Sequence, residues 1–240
     1  MMFSAAARFE HADVEAAVVF VDMSGFTAFT EAHGDHSAAQ LAETFTASAT
    51  RVLGPGDELI KTIGDAVLVV CENPTTAVTF LRRLTAEIGR IQGFPMLRAG
   101  IAAGPVVKRN GDVFGSTVNT AARLATVAQA GQIVVNDGVA SALSAADLAA
   151  MTALGSLALR NIGSSIDAFA LDIGTHHQEH VDPVCRMHVA TGAPELTITH
   201  SGTSYRFCST ACMQQFAQRI VGDTASPPDY EGAWSLSLDR

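Results

Sequence analysis

The 240-residue chain is poor in charged residues, in aromatic residues and in cysteine. Charged residues make up only 16% of it, and 15 Lys and Arg residues face 24 Asp and Glu residues, so the formal net charge is −9. This shortage of basic residues argues against a nucleic-acid partner, because nonspecific binding to nucleic acid needs a basic surface. A bound nucleotide stays compatible with the charge, because a metal cation can offset the phosphates.

The sequence also lacks a long hydrophobic run. Near its start the longest run, Ala16–Val21, is far too short to span a bilayer. The first fifteen residues contain no basic segment followed by an apolar core. We therefore expect no signal peptide, no membrane partner and a cytoplasmic location. Thiols stay reduced in the cytosol, so clustered cysteines there suggest metal binding or catalysis before disulfides.

Apolar residues nevertheless make up 48% of the chain, and they form strand and helix patterns that alternate. The predicted elements are a strand at Glu15–Asp22, a helix with Leu41, Phe45, Ala49 and Leu53 on one face, strands at Glu58–Ile63 and Ala66–Cys71, a helix with Val78, Leu81, Leu84, Ile88 and Ile91, a strand at Leu97–Gly104, a helix at Val118–Ala130, and the strand "QIVVN". Gly64-Asp65 between the second and third strands is typical of a tight hairpin. The order β-α-β-β-α-β, with extra elements after it, predicts a ferredoxin-like α+β fold.

The pattern also divides the chain into segments. Residues 174–181 are polar and without periodicity, which indicates a linker, and a small cysteine-containing module follows. The predicted segments are an N-terminal tail at 1–14, a first domain at 15–173, the linker at 174–181, the second module at 182–222 and a C-terminal tail at 223–240.

Two carboxylates end neighbouring elements of the predicted sheet. Asp22 ends the first strand, and Asp65 lies at the tip of the hairpin, which is next to that strand in this fold. Adjacent carboxylates repel each other unless a cation joins them, and their hard oxygens suit Mg²⁺ or Mn²⁺. The alternative is that Asp22 caps a turn and Asp65 only forms one.

Two further polar groups have spacings that suit a nucleotide. The stretch "SGFTAFT" follows Asp22, and a turn of small residues that opens a helix offers N–H groups to phosphate. Asn119 and Arg123 are spaced i, i+4 and share one helix face. They suit a ribose and a phosphate, although a solvated polar face would have the same spacing.

The segments "FVDMSGFT", "IKTIGDAVLV" and "GDVFGSTVNTAARL" resemble, in this order, the class III nucleotidyl cyclase catalytic domain. The resemblance covers about Glu15 to Ile173 and includes the closing "LRNIGSSIDAFAL". It implies that Asp22 and Asp65 bind the metals and that Lys61 and Asp112 recognise the purine. Asn119 would position the ribose, and Arg123 would contact the phosphate under attack. The implied substrate-binding turn consists of Gly25, Phe26 and Thr27. Every charged position of the family is filled, which disfavours a degenerate domain.

The resemblance implies the reaction as well. Adenine presents an acceptor at N1 and a donor at N6, which complement the donor Lys61 and the acceptor Asp112, so ATP is the predicted substrate. Two Mg²⁺ or Mn²⁺ ions would assist attack of the ribose 3′-oxygen on the α-phosphorus. A head-to-tail homodimer is implied, in which Asp22 and Asp65 of one chain work with the other four side chains of the second.

The second module contains three cysteines in the pattern C-x22-C-x3-C: Cys185, Cys208 and Cys212. Thiolates suit Zn²⁺, Cu⁺ or another soft metal. The frame "DPVC…YRFCSTACMQQF" resembles a YHS domain, of the TRASH-like metal-binding group, although Arg186 stands where Gly is common. His188, His200 or no residue at all would be the fourth ligand. The alternative for the three cysteines is core packing, as expected for Cys71.

These observations favour an adenylate cyclase that makes 3′,5′-cyclic AMP, with a module through which metal regulates it. An alternative from another class is a metal sensor whose cyclase-like domain only binds nucleotide. The filled set of catalytic positions disfavours this. A two-metal nucleotidyl transferase on a ferredoxin-like palm is a third reading, and the purine and ribose pairs disfavour it.

Overall fold

The computed structural model describes residues 11–91, 93–172, 180–189 and 196–222. Most of the two predicted tails and the linker residues 174–179 lie outside these ranges. Within the described part of the chain, no helix is both long and apolar enough to cross a membrane.

Strands and helices alternate through residues 11–172. The elements are β1 (His11–Met23), α1 (Phe26–His33), α2 (Asp35–Arg51), β2 (Glu58–Ile63), β3 (Ala66–Cys71), α3 (Pro74–Ile88), β4 (Leu97–Arg109), β5 (Asp112–Phe114), α4 (Ser116–Val127), β6 (Gln132–Asn136), α5 (Asp137–Ala140), α6 (Ala145–Ala149), β7 (Met151–Leu157) and β8 (Ile166–Asp172).

The strands form one eight-stranded sheet in the order β2-β3-β1-β4-β6-β8-β7, with β5 paired to β4. β4 and β6 run parallel, whereas the other neighbouring strands are antiparallel. The first four strands with α1–α3 have the predicted ferredoxin-like order, and β1 lies beside the hairpin. The mixed α+β prediction is therefore confirmed, and β6–β8 extend the sheet beyond it.

The sheet is covered by helices on both faces. Successive residues of a strand point to opposite faces, so Val19 and Val21 of β1 enter the core beneath α2 and α3, whereas Val18 enters the core beneath α4. Phe45 of α2 belongs to the first core and Leu124 of α4 to the second. We call the face that carries α4 the α4 face.

Most predicted bounds agree with the structure to within a few residues. The hairpin strands Glu58–Ile63 and Ala66–Cys71 have the predicted bounds, and Cys71 is buried in the core. β1 is longer than predicted, because His11–Glu15 pair with the long strand β4, so the predicted tail 1–14 ends in a strand. α1 was missed, and α4 ends at Val127 rather than at residue 130, because Ala128 is already extended.

The second module is a small unit of short strands and one helix: β9 (His180–Val181), β10 (His188–Val189), β11 (Thr197–His200), β12 (Thr203–Arg206) and α7 (Thr210–Gly222). β9 pairs with β10, so the module begins two residues before the predicted boundary at 182 and includes the last two residues of the predicted linker. Its last described element, α7, extends to Gly222.

The module packs directly on the first domain. Its core residues Val184, Phe207 and Phe216 form one buried cluster with Phe29 of α1 and Ala38 of α2. An isolated β-bridge also joins Pro95, which precedes β4, to Met187. The module therefore lies against α1, at the end of the sheet where β1 ends.

Candidate active site and candidate metal centre

Asp22 and Asp65 lie side by side, as the sequence predicted. In the β1–β3 register Asp22 is opposite Ala66, and the N–H of Met23 donates to the carbonyl of Asp65 across 3.4 Å. Burial, together with the neighbouring Asp22 carboxylate, raises the pKa of Asp65 to about 6. Two carboxylates this close favour a bound cation, because a cation offsets the repulsion between their like charges.

Arg98 completes this group, and the sequence analysis missed it. Arg98 lies on β4 directly opposite Asp22, and its Nε and Nη2 donate to Asp22 Oδ2 across 2.8 and 2.5 Å. The other oxygen, Asp22 Oδ1, is buried and accepts no hydrogen bond from the described residues. A buried oxygen of this kind beside a second carboxylate suits a divalent cation, so the residues present fit Mg²⁺ or Mn²⁺. The arginine within the apolar stretch "MLRAGIAA" was the available signal.

Lys61 and Asp112 also meet. Lys61 on β2 donates to Asp112 Oδ2 on β5 across 2.6 Å, and their side chains are 42% and 32% exposed. The hydrogen bond from Lys61 lowers the pKa of Asp112, as does the N–H of Val113. A donor-only and an acceptor-only side chain thus stand together at the surface, open to a ligand.

One member of each charged pair, Asp22 and Lys61, points to the α4 face of the sheet. Lys61 pairs with Leu68, and Leu68 pairs with Phe20 of β1, two residues before Asp22. Cross-strand partners and residues two apart point to the same side of a sheet. Asp22 therefore faces the same side as Lys61, whose ammonium group bonds to Asp112.

Asn119 and Arg123 lie on α4, as predicted, and α4 sits unusually close to β4. A Cβ at Gly100 would lie 2.2 Å from the carbonyl oxygen of Ala121 and 2.2 Å from the N–H nitrogen of Ala125. Only glycine permits this contact, which fixes the height of α4 above the sheet. Asn119 is exposed and Arg123 is partly exposed, so both are accessible to a ligand.

The turn that carries Gly25, Phe26 and Thr27 joins β1 to α1. Gly25 caps α1 in the left-handed conformation with φ 84°, and the N–H of Ser24 donates to the carbonyl of Met96 across 2.8 Å. Thr27 is exposed. One side of the turn is in contact with the second module, because a Cβ at Gly25 would lie 2.4 Å from the Cβ of Arg186.

The three cysteines of the second module converge with a histidine of the first domain. The sulfur of Cys208 is 3.3 Å from that of Cys185 and 3.8 Å from that of Cys212. His33 Nε2 lies 3.8 Å from Cys208 Sγ and 3.6 Å from Cys212 Sγ. All four ligand atoms lie within 4.8 Å of one another. Neither His188 nor His200 belongs to this group, and the imidazole beside the three sulfurs is that of His33, which sequence spacing did not indicate.

Asp182 holds the cysteine-bearing loops in place. Its carboxylate is fully buried and accepts hydrogen bonds from the N–H groups of Val184 at 2.7 Å, Cys185 at 3.3 Å and Cys208 at 2.7 Å. Hydrogen bonds from the thiols of Cys185 and Cys208 in turn hold the pKa of Cys212 well below its usual range. The sulfurs are thus preorganised before any ligand arrives.

Arg186 stands at the position where glycine is common in the YHS domain, and its backbone conformation shows how the chain accommodates this difference. Its φ is 63°, in the left-handed region that glycine adopts most easily. The turn therefore keeps the glycine-type backbone while placing a side chain over Gly25.

Comparison with known proteins agrees with this geometry. Residues 10–172 match the family model described as the adenylate and guanylate cyclase catalytic domain, and residues 180–219 match the model of the YHS domain. The pH-sensitive adenylate cyclase MT1302 of Mycobacterium tuberculosis (strain CDC 1551 / Oshkosh) is 40% identical over 126 residues, which are 52% of this chain and 32% of that protein. An adenylate cyclase of Glutamicibacter nicotianae is 32% identical over 159 residues, which are 66% of this chain and 39% of that protein.

The chain spans about a third of the length of these curated relatives. Among solved structures, an adenylate/guanylate cyclase/hydrolase from Silicibacter pomeroyi superposes with a TM-score of 0.58 at 22% identity, over 68% of this chain and 99% of that one. This likeness supports the fold. Because the cyclase model covers most of the sequence, the chain belongs to the adenylate and guanylate cyclase catalytic domain family.

Proposed function

We propose that the chain is an adenylate cyclase, which converts ATP to 3′,5′-cyclic AMP and diphosphate. The observation that carries the proposal is that Asp22, which lies beside Asp65, and Lys61, which bonds to Asp112, share one face of one sheet. The names of the relatives from Mycobacterium tuberculosis and Glutamicibacter nicotianae support the choice of ATP. A cytoplasmic location, where ATP is abundant, is part of the proposal.

The base is selected by hydrogen-bond polarity. In the proposal the Lys61 ammonium donates to adenine N1, and the Asp112 carboxylate accepts from the N6 amino group. The 2.6 Å hydrogen bond that Lys61 donates to Asp112 must open to admit the base, and hydrogen bonds to the bound purine then replace it. Guanine would present the opposite polarity and leave like groups opposed.

The ribose and the phosphates are oriented by α4. Asn119 holds the ribose, and Arg123 meets the negative charge that grows on the α-phosphate as the new bond forms. A contact that strengthens in the transition state accelerates the reaction rather than only tightening binding. The 3′-oxygen bonds to the α-phosphorus, the bond from that phosphorus to the bridging oxygen of the β-phosphate breaks, and diphosphate leaves.

Asp22 and Asp65 are the side chains that would hold two Mg²⁺ or Mn²⁺ ions. Such ions, when bound, supply acidification of the 3′-hydroxyl and neutralisation of the leaving diphosphate. Arg98 holds Asp22 Oδ2 and leaves Oδ1 for a metal, so Arg98 is a positioning residue.

A head-to-tail homodimer is the proposed assembly. Ile63 and Phe114 are 47% and 51% exposed, and each lies two residues beyond a member of the Lys61–Asp112 pair on the same strand. Residues two apart share a face, so large apolar side chains flank the purine pair in the open. A second copy of the chain would cover them and bring its Asp22 and Asp65 to the site.

The test is to incubate the purified chain with Mn²⁺ and either ATP or GTP and to identify the products by chromatography and mass spectrometry. We expect cyclic AMP from ATP, much less product from GTP, and a rate lower by on the order of 10²–10³-fold or more from the Arg123→Ala variant. If the chain forms cyclic GMP in preference to cyclic AMP, the assignment of adenine as the preferred base would be wrong. Tight ATP binding without any cyclic product would instead support the nucleotide-binding metal sensor.

A further inference from the structure

We propose that His33, Cys185, Cys208 and Cys212 bind one thiophilic cation, with Zn²⁺ as its probe, and that this cation fastens the second module to helix α1 of the cyclase domain. The site is composite within one chain, because the three sulfurs and the imidazole come from different domains. It would set the position of the turn between β1 and α1, next to the catalytic carboxylates.

The spacing of the four ligand atoms suits a tetrahedral ion. Metal bonds of about 2.3 Å to sulfur and about 2.0 Å to nitrogen place two sulfurs about 3.8 Å apart and a sulfur and a nitrogen about 3.5 Å apart. The observed separations are 3.3 and 3.8 Å between sulfurs, and 3.8 and 3.6 Å between sulfur and Nε2. Small shifts of the side chains would therefore complete the coordination.

The chemistry of the three thiolates and the imidazole determines which ion the site prefers. Three thiolates and one imidazole form a closed set of structural zinc ligands, and soft sulfur disfavours Mg²⁺ or Mn²⁺. The catalytic carboxylates present only hard oxygens, so the two sites would take different metals from a mixture.

The surroundings of the four residues are already ordered for binding. Asp182 links the Cys185 loop to the N–H of Cys208 through its buried carboxylate. The ring of His33 packs against that of Phe29, with centroids 4.6 Å apart, and Phe29 belongs to the core shared by the two domains. Such outer partners orient the ligands of a metal site.

The module holds α1 at both ends. The helix has eight residues and is about 12 Å long. His33 lies at its C-terminal end, while Arg186, the neighbour of Cys185, packs on Gly25 at its N-terminal cap. Asp22 precedes Gly25 by only three residues, so a metal that fixes the module would also fix the turn beside Asp22.

The binding test uses the full chain, reduced and freed of metal, in a competition between the protein and a chromophoric zinc chelator. We expect one zinc per chain. His33→Ala should weaken binding by more than the ~10–100-fold typical of losing an outer-shell partner. His33→Cys, which supplies a fourth thiolate, should retain tight binding, because four cysteines are also a structural zinc set. The matched control is His36→Ala, an exposed histidine in the next helix.

Failure to bind zinc would overturn the site. Equal zinc affinity in the wild type and His33→Ala would also overturn it, because the cysteines alone would then hold the ion. Loss of affinity in His200→Ala or His188→Ala, with His33→Ala unaffected, would assign the ligand to the module itself.

The regulatory part rests on the proposed cyclase function and has its own measurement. At fixed Mn²⁺ and ATP, zinc loading should raise the turnover of the wild type and of His36→Ala by about 5-fold or more, the lower end of typical allosteric coupling. His33→Ala and Cys185→Ser should not respond. Equal responses in all four proteins would overturn the coupling. A chain that binds zinc through His33 but makes no cyclic nucleotide would refute the proposed function and leave the metal site standing.

Discussion

The two candidate metal sites of this chain are assembled in different ways. The carboxylate site lies at the end of adjacent strands, where the ladder of β1 and β4 holds Asp22 and Arg98, and the hairpin turn before β3 holds Asp65. The sulfur site joins the end of α1 to two loops and the first turn of α7 in another domain, without a shared ladder. The first should therefore keep its geometry without metal, whereas the second depends on the docking of the two domains and should stabilise that docking when occupied.

The largest expected effect tests whether the carboxylate site is shared between chains. Asp22→Ala and Arg123→Ala should each lower cyclic AMP formation by on the order of 10²–10³-fold or more, because each removes charge stabilisation at the reacting phosphate. Both variants should keep the melting temperature of the wild type to within a few degrees, since the strand ladders remain. The measurement is product formation together with thermal unfolding.

Mixing these two inactive variants sharpens the test. A heterodimer would have one site with both lesions and one site with neither, so up to half of the wild-type activity per heterodimer should return. If labelled subunits exchange and activity stays absent, the sites are not shared.

The next largest expected effect is on recognition of the adenine base. The double variant Lys61→Glu with Asp112→Cys should lower kcat/KM for ATP by about 10–100-fold, because charged hydrogen bonds of about 1.5–3 kcal/mol are lost. A matched control exists on neighbouring strands, where Lys108 of β4 donates to Glu58 of β2 across 2.7 Å. Lys108→Glu should leave kcat/KM within about 2-fold, as expected for an exposed ion pair of small energy. Equal losses in both proteins would show a general charge effect instead of base recognition.

Arg98→Ala should have a smaller effect, through the position of Asp22. We expect about a 10-fold loss of activity and a higher Mn²⁺ concentration at half-maximal rate, consistent with the ~10–100-fold cost of losing an outer partner of a metal ligand. The KM for ATP should change less than the dependence on Mn²⁺. A variant that loses stability but keeps the Mn²⁺ dependence would show that Arg98 only neutralises buried charge.

The smallest effect is expected at Asp182. Asp182→Asn keeps the shape but turns one acceptor oxygen into an amide donor that faces a backbone N–H, at a cost of about 1–3 kcal/mol. The melting temperature and the zinc affinity should both fall, while activity without zinc should change little. Asp35→Asn, at an exposed aspartate of α2, is the control. Unchanged zinc affinity would show that the cysteine loops do not depend on Asp182.

The sequence predicted the parts of the sites that depend on local pattern. The hairpin of β2 and β3 could be predicted because apolar runs flank Gly64-Asp65, and the strand order then brought Asp65 to Asp22. Lys61 and Asp112 required the family resemblance, because β5 has only three residues and no periodicity.

The contacts between the domains could not be predicted in this way. His33 lies more than 150 residues before Cys185 along the chain, and only the docking of the module on α1 brings them together. The helix α1 is itself too short to show a clear amphipathic pattern, so its end was not visible as a ligand position. Arg98 was missed for a related reason, because its partner is defined by the register of β1 with β4 rather than by spacing.

The contact between Gly100 and α4 has a practical consequence for protein engineering. A residue with any side chain at this position would lift the helix that carries Asn119 and Arg123, because the neighbouring atoms are backbone atoms and cannot rotate away. Libraries that aim at a new purine specificity should therefore vary positions on β2 and β5 and leave the seam between β4 and α4 unchanged. Diversity at that seam would reduce the rate with every base and mask any gain in selectivity.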